Sequence, residues 1–234
     1  MALPHGEFSS RGGFQMRRMQ ELAERPVRGL PERGIRMDYI NYLVEEIHST
    51  TVATLGKDGH PQTRVIDMMY ADEEGVYFLT AKGKDFYAQL MEQKYVAISG
   101  TKDKAAVSLR GRVKNIGTKH LDLIFDRNPY MKEIYPEDTR SALEVFCLYE
   151  AQGEYFDISD PSHVKRALIV IGAKEPERTG YFVSEGCIGC KLCYSACPQK
   201  CIDISAKPVV IDQNHCLHCG RCAEICPKQA IRKM

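Results

Sequence analysis

Apolar and polar positions change period several times along the chain. Between 37 and 48 the apolar positions Met37, Ile40, Leu43, Val44 and Ile47 share one face of a helix. Ser49-Thr50 is expected to end it. Beyond that point the pattern shortens and predicts roughly eight strands, over 51–55, 62–70, 76–80, 95–99, 105–114, 145–150, 154–158 and 167–171. Lys57-Asp58-Gly59-His60 carries an Asp-Gly hairpin signal between the first two. A second helix is expected over 84–92, with Phe86, Leu90 and Met91 on its apolar side. Two more are expected over 118–125, capped by Thr118, and over 137–143. Many short strands joined by tight turns predict a small antiparallel barrel, not a parallel sheet. Residues 1–36, rich in Arg, Gly and Pro with a helical hint only at 16–23, read as an arm over the surface.

After a polar stretch at 172–181 the pattern becomes a repeat. Cys187, Cys190, Cys193 and Cys197 recur 29 residues later as Cys216, Cys219, Cys222 and Cys226, with Pro198 recurring as Pro227 and Ile202 as Ile231. Each half is Cys-x2-Cys-x2-Cys-x3-Cys-Pro, the run of bacterial two-cluster ferredoxins. Three cysteines two residues apart sit on a tight loop and can reach three corners of one cube, while the following helix carries the fourth to the other cube. The resemblance implies two [4Fe–4S] clusters, one on Cys187, Cys190, Cys193 and Cys226, the other on Cys216, Cys219, Cys222 and Cys197. Zinc is the alternative, since paired Cys-x2-Cys units also make tetrahedral zinc sites. It accounts for four ligands per site but not for the third cysteine, the trailing Cys-Pro or their repetition.

The repeat sets Cys201 against Ala230, which predicts a small buried hydrophobe there and not a ligand. Cys147, in an apolar strand, is expected in the core, and His215 and His218 on the surface.

Composition narrows the classes. Nine of the ten cysteines lie between Cys187 and Cys226, a crowding that points to metal ligands and not to disulfides. Lys plus Arg number 32 and Asp plus Glu 31, a balance that argues against a binder working by neutralising many nucleic-acid phosphates. The longest apolar runs fall far short of the roughly 20 residues of a membrane helix, and no secretory signal is evident, so a cytoplasmic protein is expected. Residues 187–234 hold seven Lys/Arg and three Asp/Glu. That excess matches the charge of about −4 on two oxidised cubes with their thiolates.

The first domain carries a second resemblance. Val52-Ala53-Thr54-Leu55, Asp58-Gly59-x-Pro61, Arg64-Val65-Ile66 and Phe78-Leu79-Thr80 occur in the order typical of the pyridoxamine 5′-phosphate oxidase-like family. This resemblance implies a split antiparallel β-barrel, an α+β fold, forming a homodimer through the barrel with FMN at the subunit interface. It also implies that Arg64 contacts the FMN phosphate, that Val65, Ile66 and Asp67 run beside the isoalloxazine ring, and that Leu79 and Thr80 add contacts from the next strand. The family pattern then expects Ser-Arg-Lys where this chain has Lys84-Asp85-Phe86, and a second basic residue where it has Met69. Lys84, with Lys82 nearby, is the substitute. These departures argue against pyridoxamine-phosphate oxidation itself and leave a deazaflavin open.

The organisation expected is an arm at 1–36, a flavin-binding barrel at 37–172, a linker at 173–185 and a dicluster ferredoxin domain at 186–234. The function expected is an FMN-dependent oxidoreductase or electron-transfer protein, drawing on a redox partner protein or a small-molecule donor. The alternatives are a non-catalytic carrier or sensor and a ferredoxin beside a flavin-free barrel. No general acid or base follows from sequence. Tyr130, Tyr135 and His120 are candidates only because they titrate or donate, and core or surface roles are the simpler reading.

Overall fold

In the computed structural model, residues 33–172 and 179–234 are described. The expected helical hint at 16–23, most of the arm and residues 173–178 of the linker lie outside them. Helix α1 (Arg33–Asn41) runs into a wider π-helical turn, Tyr42–Ile47. Its apolar face, Ile40, Leu43, Val44 and Ile47, is buried in the main core. The chain reverses at His48, whose φ is +59°. Ser49 and Thr50 therefore begin β1 (Ser49–Leu55) and do not merely end the helix.

Strands β2 (Pro61–Ala71), β3 (Val76–Ala81), β4 (Tyr95–Lys102), β5 (Ala105–Asn115), β6 (Leu143–Asp157) and β7 (Lys165–Ile171) join β1 in one antiparallel sheet, ordered β3-β2-β1-β4-β5-β6-β7. Because β3 also pairs with β6, six strands close into a barrel and β7 extends it along β6. Alternation drives the closure: Val52, Val96, Ile98, Val107, Leu109 and Val113 all point into one core. Helix α2 (Asp85–Gln93) adds Phe86 and Leu90 to that core. A second apolar cluster lies under α3 (Leu121–Arg127) and α4 (Met131–Ile134), where Leu121, Ile124, Phe125 and Met131 meet Tyr77 and Leu79.

Three expectations are corrected here. The strands expected at 145–150 and 154–158 are one 15-residue strand, β6. Gly153 reads as a break in sequence, yet a Cβ there would stand 1.8 Å from the Ser108 carbonyl oxygen, so glycine permits the close β5 approach. Thr118 does not cap α3; His120 does, in a left-handed conformation with φ +67°, its ring packed on Tyr77. The expected helix over 137–143 is a 3-10 segment, Glu137–Ala142, and α4 precedes it between Pro129 and Pro136.

The cysteine-rich tail keeps the repeat in its structure. Strand β8 (Tyr181–Val183), in sequence part of a polar linker, pairs with the terminal strand β11 (Ile231–Lys233). Strand β9 (Ile202–Asp203) pairs with β10 (Val210–Ile211). The 29-residue shift carries Tyr181 onto Val210 and Ile202 onto Ile231. Each hairpin thus joins the strand before one half to the strand after the other. Short helices α5 (Leu192–Ala196) and α6 (Arg221–Glu224) occupy matching places in the two halves.

Candidate functional site

Folding the repeat back on itself brings cysteines of one half to the other. One small cavity is lined by Cys187, Cys190, Cys193 and Cys226. The other is lined by Cys216, Cys219, Cys222 and Cys197, and also by Cys201. The loops curl tightly enough to do this because Gly189, Lys191, His218 and Gly220 all adopt positive φ. Backbone N–H groups aim at sulfur: His218 donates to Cys216 Sγ and Ala230 to Cys226 Sγ, each at 3.3 Å. Thiols spread around a cavity, with N–H groups directed at them, suit a multi-iron cube whose ligands stand at separate corners. Among the described residues no three His, Cys, Asp or Glu side chains converge as a single-ion site would require.

Cys201 differs from a plain alanine substitute. Its Sγ lies 3.7 Å from Cys197 Sγ, and it is half-buried against the second cavity. Of Cys201 and Cys216, Cys216 is the more acidic, because the Cys201 thiol donates to it and the His218 N–H donates as well. The two histidines are not free on the surface either. His215 donates Nδ1–H to the Val164 carbonyl at 2.8 Å and packs at a tilt against His163, while half-buried His218 has its titration lowered by burial.

A second site opens in the barrel wall. The β2–β3 ladder stops at Met68 and Phe78. Residues 61–67 of β2 pair only with β1, and 79–81 of β3 pair only with β6. The two strands part there, leaving a cleft with a free backbone edge on each lip. Arg64, Val65, Ile66 and Asp67 stand on one lip and Leu79 and Thr80 on the other, with Lys82 and Lys84 on the turn that follows. Thr80 Oγ1 is buried without a partner, and Val65 is 68% exposed. An orphaned hydroxyl, free N–H groups and an exposed apolar side chain fit a planar polar ligand such as a flavin.

Arg64 is already held. It donates to Thr54 Oγ1 at 2.6 Å, to Gln89 Oε1 at 3.0 Å and to the Gln62 carbonyl, and its guanidinium lies over the Phe86 ring. Strand β2 is thereby tied to α2, next to Lys84 at the helix start.

Asp67 anchors a polar network on the outer side of the same lip. Ser49 Oγ donates to Asp67 at 2.6 Å, and the Tyr130 hydroxyl donates to it at 2.9 Å while lying 3.0 Å from His48 Nε2. Burial and the Asp67 contact push the Tyr130 hydroxyl well above the ordinary tyrosine range. Of the three acid–base candidates, Tyr130 stands at the cleft. Tyr135 packs in the outer apolar cluster and His120 is enclosed by Tyr70 and Tyr77.

Sequence reasoning missed the seam between barrel and tail. Arg166 on β7 donates Nε–H to the Cys216 carbonyl at 3.3 Å, pairs with Glu154 and lies over the Phe156 ring. Gln199 accepts from the Val164 N–H at 3.0 Å and donates to the Pro161 carbonyl at 2.9 Å. The second cavity is therefore the one seated on the barrel. Only a charge at Arg166 within a strand hinted at this, and nothing in Gln199 did.

Known proteins match both parts. A 4Fe-4S dicluster domain profile matches residues 186–230, and the tail is a ferredoxin domain of that kind. A component of the ion-translocating oxidoreductase complex of Methanosarcina acetivorans is 48% identical over 46 residues, 20% of this chain and 17% of that protein. The PorD component of pyruvate synthase from Methanothermobacter marburgensis is 48% identical over 46 residues, 20% of this chain and 53% of that protein. The chain thus spans about half or less of these relatives. Among solved structures, a nimc/nima family protein of Clostridium acetobutylicum aligns with 57% of this chain and 93% of its own at 20% identity and TM-score 0.48. A pyridoxamine 5′-phosphate oxidase-related, FMN-binding protein of Nostoc punctiforme aligns with 59% and 89% at 16% identity and TM-score 0.44. The pyridoxamine 5′-phosphate oxidase profile matches residues 37–154, half of the chain and nearly the whole closed barrel, and the chain belongs to that family.

Proposed function

We propose that this protein is an iron–sulfur flavoprotein that passes electrons between two [4Fe–4S] clusters in its tail and FMN in the barrel cleft, serving the oxidation or reduction of a small molecule. The observation that carries the reading is the content of the two cavities: three cysteines of one half and the fourth of the other line each. In this reading Cys187, Cys190, Cys193 and Cys226 hold the first cluster, and Cys216, Cys219, Cys222 and Cys197 the second. Arg64 and Lys84 would hold the flavin phosphate, Lys82 standing nearby, while the 64–67 lip and Leu79-Thr80 would hold the ring. Bound FMN would supply the exchange between two-electron chemistry and one-electron carriers.

The seam supports the coupling but also constrains it. Arg166 lies opposite Phe156 on β6, and Thr80 lies opposite Glu144 on the same strand. That is about twelve residues, at most on the order of 40 Å if the strand ran straight at about 3.3 Å each. Electron transfer decays steeply with distance, so in this reading the second cluster is assigned to a cleft other than that of its own chain. The reading therefore includes a homodimer through the barrel, in which the tail of one chain serves the cleft of its partner. Anaerobic reconstitution followed by iron, sulfide and flavin analysis tests the whole reading: about eight irons and one FMN per chain are expected. A colourless zinc protein overturns the cluster half, and iron without flavin overturns the flavin half.

A further inference from the structure

The repeat lets the surroundings of the two cavities be compared position by position. At the second cavity Gln199, 9% exposed, seats the tail on the barrel, with help from His215 and the Cys216 carbonyl. Their counterparts at the first cavity are Lys228, Gly186 and Cys187. Lys228 and Gly186 are exposed. The face by which the tail grips the barrel thus has a copy at the other end of the tail that no described residue fills.

Its chemistry has changed. Ile188 and Leu192 are 49% and 44% exposed. Lys191 and Lys228 line the cavity, which has no carboxylate in its wall, and the Lys207 stem lies 3.8 Å from where a Gly189 Cβ would stand. None of these lysines has an ion pair among the described residues; the acids nearest to them in sequence are Glu185, Asp203 and Glu224, of which Glu224 is taken by Arg221. In the second half the counterpart of Leu192 is Arg221, which is neutralised by Glu224 at 2.9 Å.

We propose that this face is the docking site for an acidic one-electron carrier protein, which exchanges electrons through the first cavity. Two exposed aliphatic side chains beside unpaired cations make a small contact centre with an electrostatic guide, the make-up of a transient interface. Charge complementarity selects an acidic partner. The inference rests on the reading that the cavities hold clusters.

The test uses the full chain with reconstituted clusters and an acidic flavodoxin as probe. Binding of oxidised flavodoxin is measured by titration calorimetry, and cluster bleaching by reduced flavodoxin in stopped flow. The double variant Lys191→Glu, Lys228→Glu should bind and bleach at least about tenfold more weakly at low salt, with the difference fading at high salt. Dithionite should bleach both proteins alike, and Lys57→Glu on the distant β1–β2 turn should change nothing. Undiminished flavodoxin binding by the double variant overturns the proposal, as does a loss in Lys57→Glu of half or more of that in the double variant on a logarithmic scale. That result would mean that only net charge counts, since the double variant changes the charge by −4 and the single one by −2. A preparation without iron overturns the cluster reading instead, and calorimetry still reads docking in that case.

Discussion

Transfer between partner chains predicts a definite result for mixed dimers. One chain carries Arg64→Ala and lacks a competent cleft; the other carries Cys219→Ala and lacks the second cluster. Neither homodimer can pass electrons from the second cluster to a cleft by any route. In a mixed dimer, the intact second cluster of the Arg64→Ala chain faces the intact cleft of the Cys219→Ala chain. When the two are co-expressed and pair at random, every competent cleft meets either kind of partner, so about half of the bound flavin should be reduced rapidly.

The half comes from random pairing, and the seam geometry is what makes it differ from zero. With the tail seated at the Phe156 end of β6 and the cleft at the Glu144 end, transfer within one chain would leave every cleft in the mixture without a donor. The assay injects electrons with reduced flavodoxin and follows flavin bleaching, at an FMN concentration that fills only intact clefts. Rapid reduction of none of the flavin, with wild-type protein fully reduced in parallel, refutes transfer between chains. Wild-type flavin that stays oxidised beside reduced clusters refutes the coupling itself.

Three further outcomes are expected. One charge-assisted phosphate contact is worth roughly 1.5–3 kcal/mol, so Arg64→Ala should weaken FMN binding by ~10- to 150-fold and riboflavin binding far less. Equal losses, measured by fluorescence titration, would mean that Arg64 only ties Thr54 and Gln89 together. Cys201→Ala should leave iron content nearly unchanged while Cys197→Ala loses the second cluster; equal damage would make Cys201 a ligand. Gly153→Ala should destabilise the barrel by about 3 kcal/mol, since its methyl would meet the Ser108 carbonyl. An unchanged urea midpoint would show that β5 and β6 can separate there at no cost.

What could be read from the chain divides by the range of the interaction. The barrel strands were legible because alternate burial along β4 and β5 is a local pattern, and the dicluster tail because sulfur geometry imposes its own spacing. Gly153 misled because a glycine that ends a strand and one that lets two backbones touch look alike until the partner strand is known. The cleft needed the ladder itself: Arg64 and Thr80 were identified by resemblance, but that β2 and β3 part after Met68 and Phe78 is a property of two strands together. Tyr130, one of three candidates without distinction in sequence, stands out only when β2 brings Asp67 and the end of α1 brings His48 to its hydroxyl.

The seam is the clearest case. Gln199 and Lys228 occupy one position of a repeat, and as letters either could be a solvated side chain. Folding makes one a buried tie to Val164 and leaves the other open beside an unpaired Lys191. The difference between the two halves of a symmetric domain is thus written by what each half meets. A duplicated ferredoxin begins with two equivalent faces. Here the barrel occupies one of them, through Gln199, and the copy, with Lys228 where the seam has Gln199 and Leu192 where the other half has Arg221, is the face left open among the described residues.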